Sequence, residues 1–154
     1  MGILAAGGQV IELLPATGDD LEFAWSLYRD LMKPLTEEVM SWDDQSQRAV
    51  VKQSLAHQGT SIITIDDANA GWLQVDDTSS GIHLGQIYIL PALQNRGVGS
   101  AILKRLCDQA RREDKAVFLE VMKNNPARAF YEALGFRVTG QSKYKFEMRW
   151  QAMG

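Results

Sequence analysis

The sequence predicts an α+β domain (α/β mixed), with a central mixed, mostly antiparallel sheet of about seven strands flanked by about four helices. Short apolar or β-branched runs separated by turn residues indicate strands, and segments with apolar residues at helical spacing indicate helices. The order is strands and two helices, then a helix, a strand, a helix and two strands. The 154 residues are 45% hydrophobic, which is enough for one core, so we expect a single domain over residues 1–154.

The first half of the chain is expected to hold three of the strands and two helices. These strands are Gln9 to Leu14, Thr60 to Ile65 and Gly71 to Val75, with a turn at Asp66 to Asn69 and a polar loop at Asp76 to Gly81. Capping residues at Thr17 to Asp20 precede the first helix, and Pro34 is expected to end or kink it. Asp43 or Asp44 is suited to cap a second helix that runs to about Ala56.

The second half is expected to alternate strands with two further helices. Its strands are Ile82 to Leu90, Ala116 to Met122, Phe136 to Gly140 and Lys143 to Trp150, and its first helix covers residues 96 to about 113. A short second helix follows, with Asn125 at the cap, Pro126 in the first helical position and Gly135 in left-handed backbone at the end.

Composition limits the classes of function. The net charge of −3 argues against a nucleic-acid protein, because phosphate contacts normally require a basic surface. No apolar run is long enough to cross a membrane, and Met1 to Gly8 lacks the basic start and apolar core of a secretion signal, so a cytoplasmic protein is expected. Without a Cys/His cluster no metal site is expected. The oligomeric state stays open, with a homodimer as one option.

The most informative stretch is the turn from Gln94 to Ser100, which contains Gly97 and Gly99. It joins an expected strand to an amphipathic helix, so successive amide N–H groups lack helical partners and favour an anion such as pyrophosphate. A turn that needs only a flexible backbone explains a lone Gly-x-Gly about as well. A P-loop is absent, and Ile102 replaces the third glycine of the dinucleotide fingerprint.

Further segments accompany this turn. Ile87 to Pro91 precedes it, and Leu119-Glu120-Val121 and then Asn125 to Phe136 follow it. Together they resemble the GCN5-related N-acetyltransferase (GNAT) superfamily over about residues 82 to 150, whereas the first half resembles it mainly in the order of elements. The resemblance implies the fold and a coenzyme A donor, and it says nothing about the acceptor.

The resemblance also implies roles for individual residues. The pyrophosphate of coenzyme A would bind at the turn, at Gln94, Arg96, Gly97, Val98, Gly99 and Ser100. Backbone groups of Ile87, Tyr88 and Ile89 would pair with the pantetheine arm, which Asn124 or Asn125 would also reach. Tyr131 matches the general acid towards the departing thiolate. Glu120 is a candidate general base, and Leu-Glu-Val is also common where the glutamate is only structural.

Other reactive side chains have simpler explanations. Cys107 lies on the apolar side of its helix and is expected to be a buried structural thiol. His83 is expected to be half-exposed on a strand, and His57 to lie at a helix end. Trp72 is expected in the core. One connection mixes acids with a large aromatic residue; it comprises Met32, Lys33, Pro34, Glu37, Glu38 and Trp42. Its acids could attract a cationic amine. Alternatively, Met32 and Trp42 belong to the core, and Glu37 and Glu38 form a solvated helix start.

The resulting hypothesis is an acetyl-CoA-dependent N-acetyltransferase, with acetyl-CoA (coenzyme A) as the acyl-donor cosubstrate. It would transfer the acetyl group directly to a primary amine of a small molecule or protein. The alternatives are a non-catalytic coenzyme-A-binding regulatory or interaction module of the same fold, and a structural protein with an empty glycine turn. Retention of Tyr131 favours the enzyme.

Overall fold

A computed structural model of the chain describes residues 3–6, for the backbone alone, and residues 8–153. Met1 and Gly154, the ends of the predicted domain, lie outside the described residues. The strands are β1 (Ile3–Ala6), β2 (Gln9–Pro15), β3 (Thr60–Ile65), β4 (Ala68–Thr78), β5 (Gly81–Ile89), β6 (Val117–Met122), β7 (Arg137–Gln141) and β8 (Lys145–Trp150). The α-helices are α1 (Leu21–Glu37), α2 (Asp44–Leu55), α3 (Val98–Arg112) and α4 (Ala127–Ala133).

The strands form one mixed sheet in the order β1-β2-β3-β4-β5-β6-β8-β7. β5 and β6 are parallel, whereas the pairs β1/β2, β2/β3, β3/β4, β6/β8 and β7/β8 are antiparallel. The mixed sheet with its four helices confirms the predicted fold class. Strand β1 was not predicted from the sequence.

By its internal packing the chain divides into two compact units, and each is described by itself. The first unit comprises Met1–Gln74 and Gln86–Gly99. The second comprises Val75–Gly85 and Ser100–Gly154.

In the first unit, α1 and α2 supply the apolar side chains that cover the sheet. A buried cluster comprises Ala24, Leu27, Val51, Leu55, Ile62 and Trp72. The Trp72 side chain is fully buried, as predicted, and its Nε1 donates to the carbonyl oxygen of Ala24 at 3.2 Å. That bond satisfies the polar edge of the ring, so a large aromatic side chain is accommodated in this core without an unpaired donor.

The start of α1 follows the predicted capping residues, but Pro34 does not end the helix. Thr17 and Asp20 form a reciprocal capping box around a short 3-10 turn, Gly18–Asp20, that leads into α1. The helix then continues past Pro34 to Glu37. Proline removes only the N–H that would bond to Asp30, and both residues are exposed, so water can satisfy that carbonyl group near the helix end.

The second helix and the hairpin after it are close to their predicted positions. Asp43 caps α2, because its Oδ2 accepts from the Ser46 N–H at 2.8 Å. The β3 to β4 turn is shorter than predicted, with Asp66 and Asp67 both in left-handed backbone at φ 49° and 70°. Two such residues make a tight hairpin turn whose twist matches the strands, so β4 begins at Ala68 and extends into the expected loop as far as Thr78.

In the second unit, β6 is the central strand. It pairs in parallel with the start of β5 through Ile82↔Val117 and antiparallel with β8 through Leu119↔Met148. The buried face of α3 carries Ile102, Leu103, Leu106, Cys107 and Ala110. After α3, the Lys115 ammonium group pairs with Asp77 at 2.7 Å, which ties the start of β6 to the end of β4.

Candidate active site

The turn between β5 and α3 holds one group of the predicted site residues, and we call residues 94–99 the donor turn. A 3-10 turn, Pro91–Leu93, directs the chain away from β5. Asn95 and Gly97 then adopt left-handed backbone, with φ 63° and 83°, before Val98 begins α3. These two residues lie directly before the helix. The first N–H groups of α3 have no partner within the helix, so they can donate to a ligand at the turn.

The side chain of Gln94 has a partner within the first unit. Its Nε2 donates to the carbonyl oxygen of Ile89 at 3.0 Å. This hydrogen bond fastens the donor turn to the end of β5. The Gln94 amide therefore acts in positioning the turn, a role that its motif does not reveal.

The surface over Gly97 is open. A Cβ atom placed there would have no heavy atom within 4 Å. Arg96 is exposed on one side, and Val98 is buried and anchors the helix start on the other, whereas Gly99 and Ser100 are half-buried. The open space at Gly97, next to the first N–H groups of α3, fits a pyrophosphate, because such a group needs several N–H donors at close range.

The strand before the turn presents its backbone groups alternately to its two edges. A Cβ atom on Gly71 of β4 would clash with the Tyr88 carbonyl oxygen, and Leu90 donates its N–H to Ala70 at 2.8 Å. The backbone of Tyr88 therefore faces β4. Because strand residues alternate, Ile87 and Ile89 present their N–H and C=O groups to the other edge. The Ile89 carbonyl already accepts from Gln94, so at this edge a pantetheine arm would meet the N–H of Ile89 and both backbone groups of Ile87.

The side chain of Tyr88 is turned into the first unit. Its ring packs against Trp72 and Tyr28, with ring centroids at 4.9 and 5.3 Å. Its hydroxyl donates to Gln86 Oε1 at 3.0 Å, and the Gln86 amide donates to Gln74 Oε1 at 2.9 Å. The side chain of this predicted site residue thus contributes to packing.

The second unit holds the other predicted residues, beginning with the two asparagines. Asn125 Oδ1 accepts from the Ala127 N–H at 2.9 Å, and Pro126 has helical dihedral angles. Asn125 therefore caps α4, as predicted. Its side-chain oxygen is occupied by the cap. Asn124, half-buried just before it, is the other candidate for the pantetheine arm.

Tyr131 lies on α4 in apolar surroundings. Its ring contacts Phe130 and Phe136 with centroids at 5.4 and 5.9 Å, and only 8% of its surface is exposed. Burial raises the pKa of Tyr131 to about 12. The hydroxyl group therefore keeps its proton at neutral pH, which is the state that a general acid requires.

Glu120 is exposed on β6, directly opposite Glu147 of β8. Opposite residues of an antiparallel pair lie on the same face, so the two carboxylates share a surface. Glu147 leans over Gly140, where a Cβ atom would come 2.5 Å from Glu147 Oε2. The absence of a side chain at Gly140 thus gives Glu147 room on the side away from Glu120, and this neighbour was not recognised from the sequence.

The remaining reactive side chains have the structural surroundings expected of them. Burial is the largest cause that raises the pKa of the Cys107 thiol, to about 11, so it is a structural thiol rather than a nucleophile. His83 is half-exposed and stacks on Phe118 with a centroid distance of 5.1 Å. His57 follows the end of α2, and its Nδ1 accepts from the Gly59 N–H at 2.9 Å.

Two kinds of feature are absent from the described ranges, 3–6 and 8–153: a metal-binding cluster and a membrane-spanning helix. They contain no group of three or more His, Cys, Asp or Glu residues arranged to hold a metal ion. Within the same ranges, every helix is too short or too polar to cross a lipid bilayer.

Comparison with known proteins identifies the family. Residues 31–154 match the family model described as the acetyltransferase (GNAT) domain. The chain belongs to the GNAT family. No curated protein matches it in sequence.

Solved structures share the GNAT fold. The PaiA N-acetyltransferase of Thermoplasma acidophilum, solved in complex with coenzyme A, superposes with a TM-score of 0.69 at 16% identity, over 92% of this chain and 99% of that one. A GNAT-family acetyltransferase from Listeria monocytogenes gives 0.70 at 15% identity, over 98% and 100%. PH1933 from Pyrococcus horikoshii gives 0.73 at 18% identity, over 93% and 99%. At such identities the likeness shows the fold alone.

Proposed function

We propose that this GNAT protein is an acetyl-CoA-dependent N-acetyltransferase that transfers an acetyl group directly to a primary amine of a small molecule or protein. The observation that carries the proposal is the donor turn. It is fastened to β5 by the Gln94 to Ile89 hydrogen bond and is open above Gly97. Membership of the family, and the coenzyme A bound to the T. acidophilum relative, support coenzyme A as the ligand.

Membership of the family assigns each predicted donor residue a part. Backbone amides of residues 96 to 100 would bind the pyrophosphate, and the outward backbone groups of Ile87 and Ile89 would bind the pantetheine arm together with Asn124. Bound acetyl-CoA supplies a thioester, whose carbon–sulfur bond breaks as the carbon–nitrogen bond to the amine forms. No covalent acyl-enzyme is required.

The reaction requires two proton transfers, one from the nitrogen and one to the sulfur. The attacking nitrogen releases one, for which Glu120 is the candidate acceptor, directly or through water, because it is an exposed carboxylate. The departing sulfur takes the other from the Tyr131 hydroxyl. A pKa of about 12 makes Tyr131 a weak acid, but burial also increases the proton affinity of a thiolate, as it does for the Cys107 thiol.

Calorimetric titration with acetyl-CoA, followed by a screen of amines for thiol release, tests the proposal. We expect binding to the full chain, and thiol release with at least one amine. No binding at millimolar donor would refute the coenzyme A assignment. Donor binding without thiol release from any amine class would refute the catalytic assignment and support the non-catalytic module.

A further inference from the structure

Unit 1 contains a connected group of aromatic rings that the proposed chemistry does not use. Trp42 lies 6.2 Å from Trp25 and 5.8 Å from Tyr28, measured between ring centroids. Tyr28 in turn lies 5.3 Å from Tyr88, which contacts Trp72. We call Trp25, Tyr28 and Trp42 the outer rings. They lead, ring to ring, from the surface to Tyr88, between the two β5 residues assigned to the donor.

Hydrogen bonds fix two of the outer rings. Trp42 Nε1 donates to Asp44 Oδ1 at 2.6 Å, and the Tyr28 hydroxyl donates to Gln47 Oε1 at 2.7 Å. Asp44 also accepts from Arg29 Nε at 3.1 Å. With their polar edges held by α2, the rings of Trp42 and Tyr28 keep their orientation without a ligand, which lowers the entropic cost of binding to their faces.

The burial of these rings decreases outward. Trp72 is fully buried, whereas Tyr88 and all three outer rings keep part of their surface exposed. Beyond them, in the connection between α1 and α2, Val39 and Met40 are exposed. Trp25 and Tyr28 pack partly against the core cluster, and the exposed parts of the three outer rings are available to a ligand.

The segment that carries the outer rings is acidic. Residues 19 to 55, which include α1 and α2, contain eight Asp or Glu and four Lys or Arg, a net charge of −4, compared with −3 for the entire chain. One of these acids, Asp44, accepts from the Trp42 ring and is also paired with Arg29. Aromatic faces and a net negative charge both attract organic cations.

We propose that the outer rings bind a cationic group of the acceptor, and that the acceptor is an aliphatic amine with a second positive group. This inference rests on the proposed function. The nitrogen that is acetylated must lose its charge, so it cannot be the nitrogen that stays bound as a cation. The two centroid steps from Trp42 to Tyr88, 5.8 and 5.3 Å, separate the cation from β5, the strand assigned to the pantetheine arm.

Titration of the full chain without coenzyme tests this binding site. The probes are straight-chain terminal diamines and, as matched partners, the monoamines of equal length, with binding followed by tryptophan fluorescence and calorimetry. We expect the best diamine to bind about tenfold more tightly than its monoamine, and the preference to decrease with salt. Trp42→Leu and Asp44→Asn should each reduce diamine affinity about threefold to tenfold.

Matched variants separate the site from general effects of charge or fluorescence. Asp67→Asn removes one negative charge from an exposed turn, and Trp150→Phe removes a tryptophan of the second unit. Both should retain the diamine preference. Equal affinity for diamine and monoamine, or a preference that survives both Trp42→Leu and Asp44→Asn, would overturn the inference. Acetyl-CoA titration of the same samples reports on the proposed function separately, because unchanged donor binding would leave that function intact.

Discussion

The donor turn and the segment around α4, residues 124–136, each contain a glycine in left-handed backbone, but the two glycines have opposite surroundings. Gly97 has φ 83° and no heavy atom within 4 Å of its missing Cβ. Gly135 has φ 103°, and Trp150 approaches the same position to 3.2 Å. One glycine leaves open space at the surface, and the other allows a helix end to pack against a tryptophan.

The two segments also differ in what they offer a substrate. The donor turn presents exposed backbone around Gln94 and Arg96, which suits an anion. The α4 segment buries the Tyr131 ring between Phe130 and Phe136. This burial keeps the Tyr131 hydroxyl group protonated. Under the proposed function the turn binds the donor and α4 supplies a proton, and substitutions can separate these two roles.

The largest effect is expected from Tyr131→Phe. Removal of the hydroxyl takes away the proposed proton donor but leaves the ring and its packing. Turnover with an accepted amine should fall by about a hundredfold or more, whereas acetyl-CoA affinity should change little. Steady-state kinetics and calorimetry on the same preparation measure the two quantities.

Tyr144→Phe is the matched control, because Tyr144 lies in the turn between β7 and β8, outside the proposed machinery. It should retain wild-type turnover. Equal turnover in both variants would remove Tyr131 from the acid role, and a parallel loss of donor affinity would mean that α4 also contributes to binding.

Gly97→Glu should have the next largest effect. A carboxylate would enter the proposed pyrophosphate site, so we expect acetyl-CoA affinity to fall at least about a hundredfold. The open space at Gly97 means that the added Cβ atom meets no packed atoms. The remaining cost is the left-handed backbone, about 1–2 kcal/mol of unfolding free energy, measured by denaturant titration.

Gly97→Ala separates strain from charge. It imposes the same backbone cost without a carboxylate and should retain most of the donor affinity. If the alanine and glutamate variants lost affinity equally, the conformation of the turn would account for the loss, and charge repulsion at a pyrophosphate site would not.

The third effect concerns stability at alkaline pH. Tyr131 ionises near pH 12 in the folded chain and near pH 10 when unfolded. Because the unfolded state loses its proton first, the free energy of unfolding should fall as pH rises from 10 to 12, by about 2–3 kcal/mol for this group. Denaturant titrations across this range measure the loss.

Tyr131→Phe should abolish that part of the pH dependence, and Tyr144→Phe should not. If the wild type and the Tyr131 variant lost stability in parallel above pH 10, the burial of the Tyr131 hydroxyl in the folded state would be contradicted.

The sequence was sufficient for elements whose signals are local. Asp43 and Asn125 cap helices as predicted, Gly135 is left-handed, and Trp72 is buried. Each of these predictions depends on a few neighbouring residues. Pro34 does not end its helix, because near a helix end the loss of one N–H costs little and solvent compensates for it.

The contacts that refine the candidate site are not local. The Gln94 to Ile89 bond and the opposition of Glu120 to Glu147 depend on turn geometry and strand register. The grouping of Trp25 with Trp42 depends on how α1 and the following connection pack. No pattern of residue spacing in the sequence predicts these contacts. The open space above Gly97 is likewise seen only in the folded chain.

The smallest effect distinguishes two adjacent asparagines. Asn125 caps α4 through its hydrogen bond with the Ala127 N–H, so Asn125→Ala should lower the free energy of unfolding by about 1 kcal/mol without changing acetyl-CoA affinity. Asn124→Ala should do the reverse, with weaker donor binding and a smaller change in stability. Denaturant titration and calorimetry on both variants measure the pair. If Asn125→Ala weakened donor binding as much as Asn124→Ala, α4 would contribute to the donor site through its cap, and the division between a binding turn and a packed catalytic segment would be wrong.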